Sequence, residues 1–323
     1  MKHHMTRALV LTITTVLAAA FASIAVAADK VRVGKAVPFA WTFTPIEVGT
    51  EVGIFGKHGL ELEVAAFAGD ARLQQGLVSA SIDFGLGSGP GMAFLVKGSP
   101  AKAVAAMAGA PMNMSLVVPY NSPIKTIDDI KGKKIGITTV GSLTDWLLKR
   151  VVAEKKWAPT DVTAVTVGGM DSTKAALKTG QIDGVVIALE LGYALEDAKE
   201  WRVLALLAPF APDFHTHVIF ARDEFIAKKP QLVEQFLRGW FETIAFMRAN
   251  RDRTVEITAK VLNLNKTVIG RVYDEQIKIF TSDGRFDPKA LLVLRQSLVE
   301  MGLLQQPPDD SAMFTTRFLP VKY

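Results

Sequence analysis

Short apolar runs alternate with amphipathic stretches from residue 29 to about residue 220, and amphipathic stretches alone follow. Val31–Val37 reads as a strand that runs into Pro38-Phe39-Ala40-Trp41-Thr42-Phe43-Thr44-Pro45. Thr44 suits a helix cap there and Pro45 a first turn. Ile46–Phe55 has helical spacing, Gly59 suits its exit, and Leu60–Phe67 alternates as a second strand. Ala71–Val78 is a helix, Ser81–Gly85 begins a third strand, and Gly85–Gly91 is a tight glycine-rich turn. Met92–Val96 continues as helix, and Ala101–Ala110 and Met114–Val118 are strands.

After a break at Pro119–Pro123 the pattern restarts. Ile127–Gly132 is a short helix, Lys134–Thr138 a strand, Leu143–Lys155 a helix, Val162–Val167 a strand and Ser172–Lys178 a helix. Gly184–Ala188 and Trp201–Leu207 are strands, and His217–Ala221 leads out of this unit. Gln231–Asn250, Arg253–Val261, Lys266–Ile279 and Pro288–Met301 are helical. Repeating βαβ units with short connections predict a layered α/β fold. The breaks near 119–123 and 208–216 read as paired crossovers, with the late helices returning to cover the first unit. Residues 74–83 and 174–183 echo each other, each ending in Ile-Asp at a strand start, which suggests two lobes on one local plan.

The length of 323 residues suits about two domains, and the absence of cysteine excludes thiolate nucleophiles, iron–sulfur clusters and structural thiolate zinc. Lys2 and Arg7 precede an uncharged run, Ala8–Ala27, that closes on Ala25-Val26-Ala27. This reads as a secretory signal peptide over residues 1–27, with a membrane anchor as the alternative. Loss of the leader lowers the formal charge from +5 to +3. No basic tract interleaved with aromatics remains, so no nucleic-acid partner is expected. No second apolar run of membrane length follows, so no membrane insertion is expected after cleavage. The expectation is an exported monomer, held in the periplasm of a cell with an outer membrane.

Four segments carry a resemblance to a known family. They are Thr50–Glu63 (TEVGIFGKHGLELE), Ser81–Gly85 (SIDFG), Ile127–Gly136 (IDDIKGKKIG) and Gly180–Gly184 (GQIDG). With them the chain resembles the solute-binding proteins of ABC importers. The nearest group is the nitrate/sulfonate/taurine type, which is related to proteins that bind the thiamin pyrimidine precursor. The resemblance implies a type II periplasmic binding fold: two α/β lobes joined by two crossover strands, with a ligand cleft between them. Lobe 1 would be residues 28–118 plus 217–323, and lobe 2 residues 119–216. The implied partners are a small organic ligand and an ABC permease with its ATPase.

In an open α/β sheet the ligand lies beyond the C-terminal strand ends, where helix N-termini offer free N–H groups. That rule selects loops 38–44, 68–71, 86–91, 138–143 and 168–172. Phe39 and Trp41 offer aromatic faces, beside Thr42. Asp70 belongs to the second loop, and Ser88 and Gly89 to the third, with a plain tight turn as the alternative for the glycines. Thr138, Thr139, Gly141 and Ser142 offer hydroxyls and N–H groups to a polar ligand, or simply cap the helix. Asp171 in the fifth loop is a ligand-binding candidate, with a cap of the helix from 172 as the favoured alternative. Glu190 would reject an anion and welcome an amine or protonated ring nitrogen, or else be a surface charge. His215 and His217 lie near the return crossover, where each could bind ligand or satisfy the hinge backbone; His215 is carried as a ligand-binding candidate, with the hinge role favoured.

The aromatic first loop favours an aromatic carboxylate, a sulfonate or a related anion. A heteroaromatic base fits better if Glu190 faces inward. No catalytic residue, metal or cofactor is expected: the chain lacks Walker A and His-Glu-x-x-His motifs, and pyrimidine-precursor synthases of similar sequence carry a cysteine-rich segment that is missing here. A sensory protein that presents its ligand to a membrane kinase, or an enzyme on the same fold, would be the alternatives from other classes.

Overall fold

Two five-stranded sheets organise the chain, and both follow one plan. The computed structural model describes residues 28–323, so the expected leader lies outside the described residues. The strands are β1 (Asp29–Lys35), β2 (Leu60–Ala66), β3 (Phe84–Ser88), β4 (Ala101–Ala108), β5 (Met114–Pro119), β6 (Lys134–Ile137), β7 (Thr163–Thr166), β8 (Gly184–Ala188), β9 (Trp201–Leu206) and β10 (His217–Arg222). One sheet has the order β2-β1-β3-β10-β4, the other β7-β6-β8-β5-β9. In each, a parallel trio is followed by an antiparallel strand that has just crossed over: β10 lies against β3 and β4, and β5 against β8 and β9.

Helices α1 (Pro45–Glu51), α2 (Ile54–Lys57), α3 (Asp70–Val78) and α4 (Met92–Val96) connect the first sheet. Helices α5 (Leu143–Glu154), α6 (Met170–Lys178) and α7 (Leu189–Asp197) connect the second. The helix expected over Ile46–Phe55 is split, because Gly53 takes φ 79° and turns the chain between α1 and α2. The late helices are α8 (Asp223–Lys228), α9 (Pro230–Ala249), α10 (Arg251–Leu262), α11 (Lys266–Gln276) and α12 (Pro288–Glu300). They return to the first lobe, as expected. Phe236 of α9 stacks on Phe84 of β3 at 4.2 Å and on Phe55 of α2 at 5.8 Å between ring centroids. Among the described residues no helix is long and apolar enough to cross a membrane.

The weak internal echo is a structural repeat. Helix α3 leads into β3 through Ile82-Asp83, and α6 leads into β8 through Ile182-Asp183. Both isoleucines are buried. The Asp83 amide donates to the Arg32 carbonyl at 2.8 Å, and the Arg32 amide donates to Asp83 Oδ2 at 3.1 Å. In the other lobe Asp183 and Lys134 repeat the exchange at 2.7 and 2.8 Å. Each aspartate thus ties the helix exit to the start of the neighbouring strand.

Two expectations need correction. The lobe boundary expected at 118/119 falls too late, because β5 joins the second sheet and the crossovers are residues 109–113 and 207–216. An apolar strand carries no mark of which sheet it will join. The glycine-rich turn expected at Gly85–Gly91 begins too early, since Gly85 and Gly87 lie inside β3. A Cβ at Gly87 would stand 2.8 Å from both Leu73 and Phe220, so the strand needs glycine there for packing.

Candidate functional site

The C-terminal ends of the parallel strands in both sheets face one cavity of about 50 Å³ between the lobes. Ala36 and Val37 follow β1, Ser88 ends β3, Thr138 follows β6, Val167 follows β7 and Ala188 ends β8. The remaining walls include Phe39, Phe43 and Met170, with Val185–Ile187 of β8. The antiparallel return of β10 sets His217 directly opposite Ser88, so both reach the cavity together.

Asp70 is the only acidic side chain among the lining residues, and none of them is lysine or arginine. The carboxylate is 3% exposed. Its Oδ1 accepts from the Ser88 amide at 2.8 Å and its Oδ2 from the Ser88 hydroxyl at 2.9 Å. The Leu143 amide, in the first turn of α5 across the cleft, also faces it. Burial raises the Asp70 pKa above the usual carboxylate range, and these donors work against that rise. The helix N-terminus that would attract an anion already faces this protein's own carboxylate. Gly69, with φ 105°, precedes Asp70; a Cβ there would meet Thr139 Oγ1 at 2.6 Å, so glycine lets the two lobes close at this point.

Three hydroxyls meet at the start of α5. Thr138, Ser142 and Thr144 stand 2.9 Å from one another, oxygen to oxygen, and the Thr138 amide donates to Thr144 Oγ1 at 2.9 Å. Thr138 and Thr144 line the cavity, whereas Ser142 lies behind them. His217 is buried with its ring edge-on to Phe43 at 4.8 Å, and burial lowers its pKa to about 3, so the imidazole is neutral. Among the described residues no group of three or more acidic or histidine side chains gathers as a metal site.

Residues 41–254 match the family model described as NMT1/THI5 like. The chain belongs to the NMT1/THI5-like family. A candidate binding protein of Brucella abortus (strain 2308) is 28% identical over 301 residues, covering 90% of this chain and 92% of that one. The 4-amino-5-hydroxymethyl-2-methylpyrimidine phosphate synthase of Saccharomyces cerevisiae is 26% identical over 208 residues, 60% of each chain. The alkanesulfonate-binding protein of Xanthomonas axonopodis pv. citri, solved with MOPS bound, superposes with a TM-score of 0.76 at 17% identity, over 88% of this chain and 98% of that one. The fold of this NMT1/THI5-like protein is therefore that of periplasmic-type solute-binding proteins, and the expected periplasmic location agrees with it.

Of the residues expected at the site of this NMT1/THI5-like protein, Phe39, Asp70, Ser88 and Thr138 line the cavity. Trp41 and Thr42 do not: both are fully buried, and the indole packs against Tyr273 and Phe280, each 6.0 Å away. A short 3-10 turn over Trp41–Phe43 alternates the side chains, so Phe43 rather than Trp41 faces the solute. Gly89 spends its amide on the Thr216 carbonyl at 3.2 Å. Gly141 donates to Asp145 Oδ2 at 2.8 Å, and Thr139 stands against Gly69, so neither lines the cavity. Asp171 is exposed inside α6, which starts one residue before it, and it caps nothing.

Glu190 faces inward, but behind the cavity wall. It is fully buried, its Oε1 accepts from the Trp41 amide at 2.5 Å, and its Oε2 has no partner. Burial raises its pKa to about 7. His215 lies in the crossover, where its Nε2 accepts from the Asp287 amide at 2.9 Å. Sequence reasoning missed Thr144, Thr173 and Met114 as lining residues, and within the loops it selected it did not single out Phe43 and Met170. The strand-end rule contained a signal for Thr144 and Met170, which open helices after β6 and β7. Nothing local distinguished His217 from a hinge residue, since only its antiparallel register beside Ser88 brings it in.

Proposed function

We propose that this protein is the substrate-binding component of an ABC importer, and that it captures in the periplasm a small heteroaromatic base, neutral or cationic, rich in N–H donors. The observation that carries the reading is the buried Asp70 carboxylate in a cavity lined by no lysine or arginine. An anionic solute would lie against a buried acid with no cationic side chain in the lining to offset its charge, whereas an amino group could donate to the Asp70 carboxyl. Phe39 and Phe43 supply apolar faces for a flat ring. The kinship to the yeast aminopyrimidine phosphate synthase points to this solute class, and the likeness to the alkanesulfonate receptor points to the other. The role is binding and delivery to the permease and its ATPase, without chemistry on the solute.

The test is a thermal-shift screen with 4-amino-5-hydroxymethyl-2-methylpyrimidine and related aminopyrimidines against alkyl sulfonates, taurine, nitrate and aromatic carboxylates, followed by calorimetry. Aminopyrimidines should bind, Asp70→Asn should weaken them by about tenfold or more, and the solute should be recovered unchanged. Hits confined to sulfonates or carboxylates, or insensitive to Asp70→Asn, would overturn the reading.

A further inference from the structure

Helix α7 is one place where the second lobe meets the first outside the cavity; the Arg150–Glu300 ion pair at 3.7 Å is another. The first turn of α7 presents Glu190 to the Trp41 amide. One turn later the Tyr193 hydroxyl donates to Glu275 Oε2 on α11 at 2.8 Å. The Arg271 guanidinium, also on α11, lies over the Tyr193 ring 3.5 Å from its centroid, and its Nε donates to Glu275 Oε1 at 3.1 Å. Between these contacts, Tyr273 of α11 stands edge-on to Trp41. Helix α7 therefore sits in a saddle formed by the Trp41 turn and α11.

None of these residues lines the cavity. Tyr193 is nonetheless only 6% exposed, with its hydroxyl and its ring face both engaged by the opposite lobe. A cation held over an aromatic face and a tyrosine hydroxyl bonded to a carboxylate are both favourable contacts. They bridge the two lobes as the structure holds them, and they involve no solute atom. Contacts confined to one conformation shift the population toward it whether or not a ligand is present.

We propose that Tyr193, Arg271 and Glu275 form a clamp at the rim of the cleft that draws the empty protein toward the closed state and lengthens the stay of a bound solute. The inference rests on the two-lobe binding fold and is independent of which solute fills the cavity. The three are positioning residues, since they act through closure.

The chain has no cysteine, so Gln75→Cys on α3 and Lys178→Cys on α6, both exposed, give one unique spin-label site on each lobe. Electron–electron resonance on the empty protein should show a short-distance population. Combining Tyr193→Phe with Arg271→Ala should lower the ratio of closed to open forms by about five- to tenfold, and Glu275→Gln alone should lower it less. Circular dichroism checks that each variant is folded. A wild-type protein with no short-distance population when empty would overturn the proposal. So would folded variants with unchanged distances, including ones that merely melt earlier. Failure of the aminopyrimidine screen leaves this measurement unaffected.

Discussion

The backbone N–H of Trp41 in one lobe donates to Oε1 of Glu190 in the other, and the second oxygen of that carboxyl has no hydrogen-bond partner. One buried acid thus joins two segments 149 residues apart. No charged side chain offsets its burial, so the proton is held at neutral pH far more tightly than in an exposed glutamate.

The first prediction follows from that proton. Glu190 titrates at about 7 in the folded protein and near 4.5 when unfolded. The folded state binds the proton more tightly, so the stability Glu190 confers is complete below pH 4.5 and is lost as the pH rises through 7. Glu190→Gln should remove that loss. In urea melts, the stability of the variant relative to wild type should rise by about 2–3 kcal/mol between pH 5 and pH 8. His215 and His217, whose pKa values burial lowers to about 4 and about 3, work in the opposite sense and weaken both proteins as the pH falls below 6.5. They cancel in the difference. A flat difference across this range would show that Glu190 carries no unusual proton.

Trp41 should behave as core. Trp41→Phe is expected to cost about 1–2 kcal/mol of stability while leaving the affinity for the best aminopyrimidine within about threefold. Calorimetry beside urea melts separates the two effects. A loss of affinity beyond tenfold with stability intact would return the indole to the solute.

Gly89 and Gly56 should respond oppositely to the same substitution. A Cβ at Gly89 would stand 2.2 Å from the His215 carbonyl oxygen, a backbone atom of the return crossover, whereas one at Gly56 in α2 meets nothing within 4 Å. Gly89→Ala should cost about 2–4 kcal/mol. Gly56→Ala should gain about 0.5–1 kcal/mol from helix propensity and reduced unfolded-state freedom. Equal effects would contradict the packing described for the crossover.

The repeated aspartates should differ in weight. Asp83 is buried and takes Arg32 through two nitrogens at 2.6 and 3.0 Å, with Arg222 at 3.3 Å. Asp183 serves the Lys134 amide from a half-buried position. Asp83→Ala, which takes the buried partner from both Arg32 and Arg222 and leaves Arg222 only the exposed Glu224 at 3.3 Å, should cost about 3 kcal/mol, and Asp183→Ala about 1 kcal/mol. Thermal melts of the two variants check the order, and a larger loss for Asp183→Ala would reverse the reading of the repeat.

What the sequence by itself determined is local. Gly184–Ala188 was legible as a strand to the residue, because an apolar run bounded by Asp183 and Glu190 says so within a few positions. The Ile-Asp echo at 82–83 and 182–183 announced two lobes, because the same helix exit needs the same tie. Tertiary structure alone decided that Met114–Pro119 joins the second sheet, that Phe43 rather than Trp41 faces the cavity, and that His217 stands beside Ser88. It also decided that Glu190 reaches the cleft only to bond a backbone amide of the other lobe. The physical reason is range. Periodicity and capping depend on neighbours along the chain, while the face a side chain buries and the partner it finds depend on surfaces that exist only after distant segments have packed together.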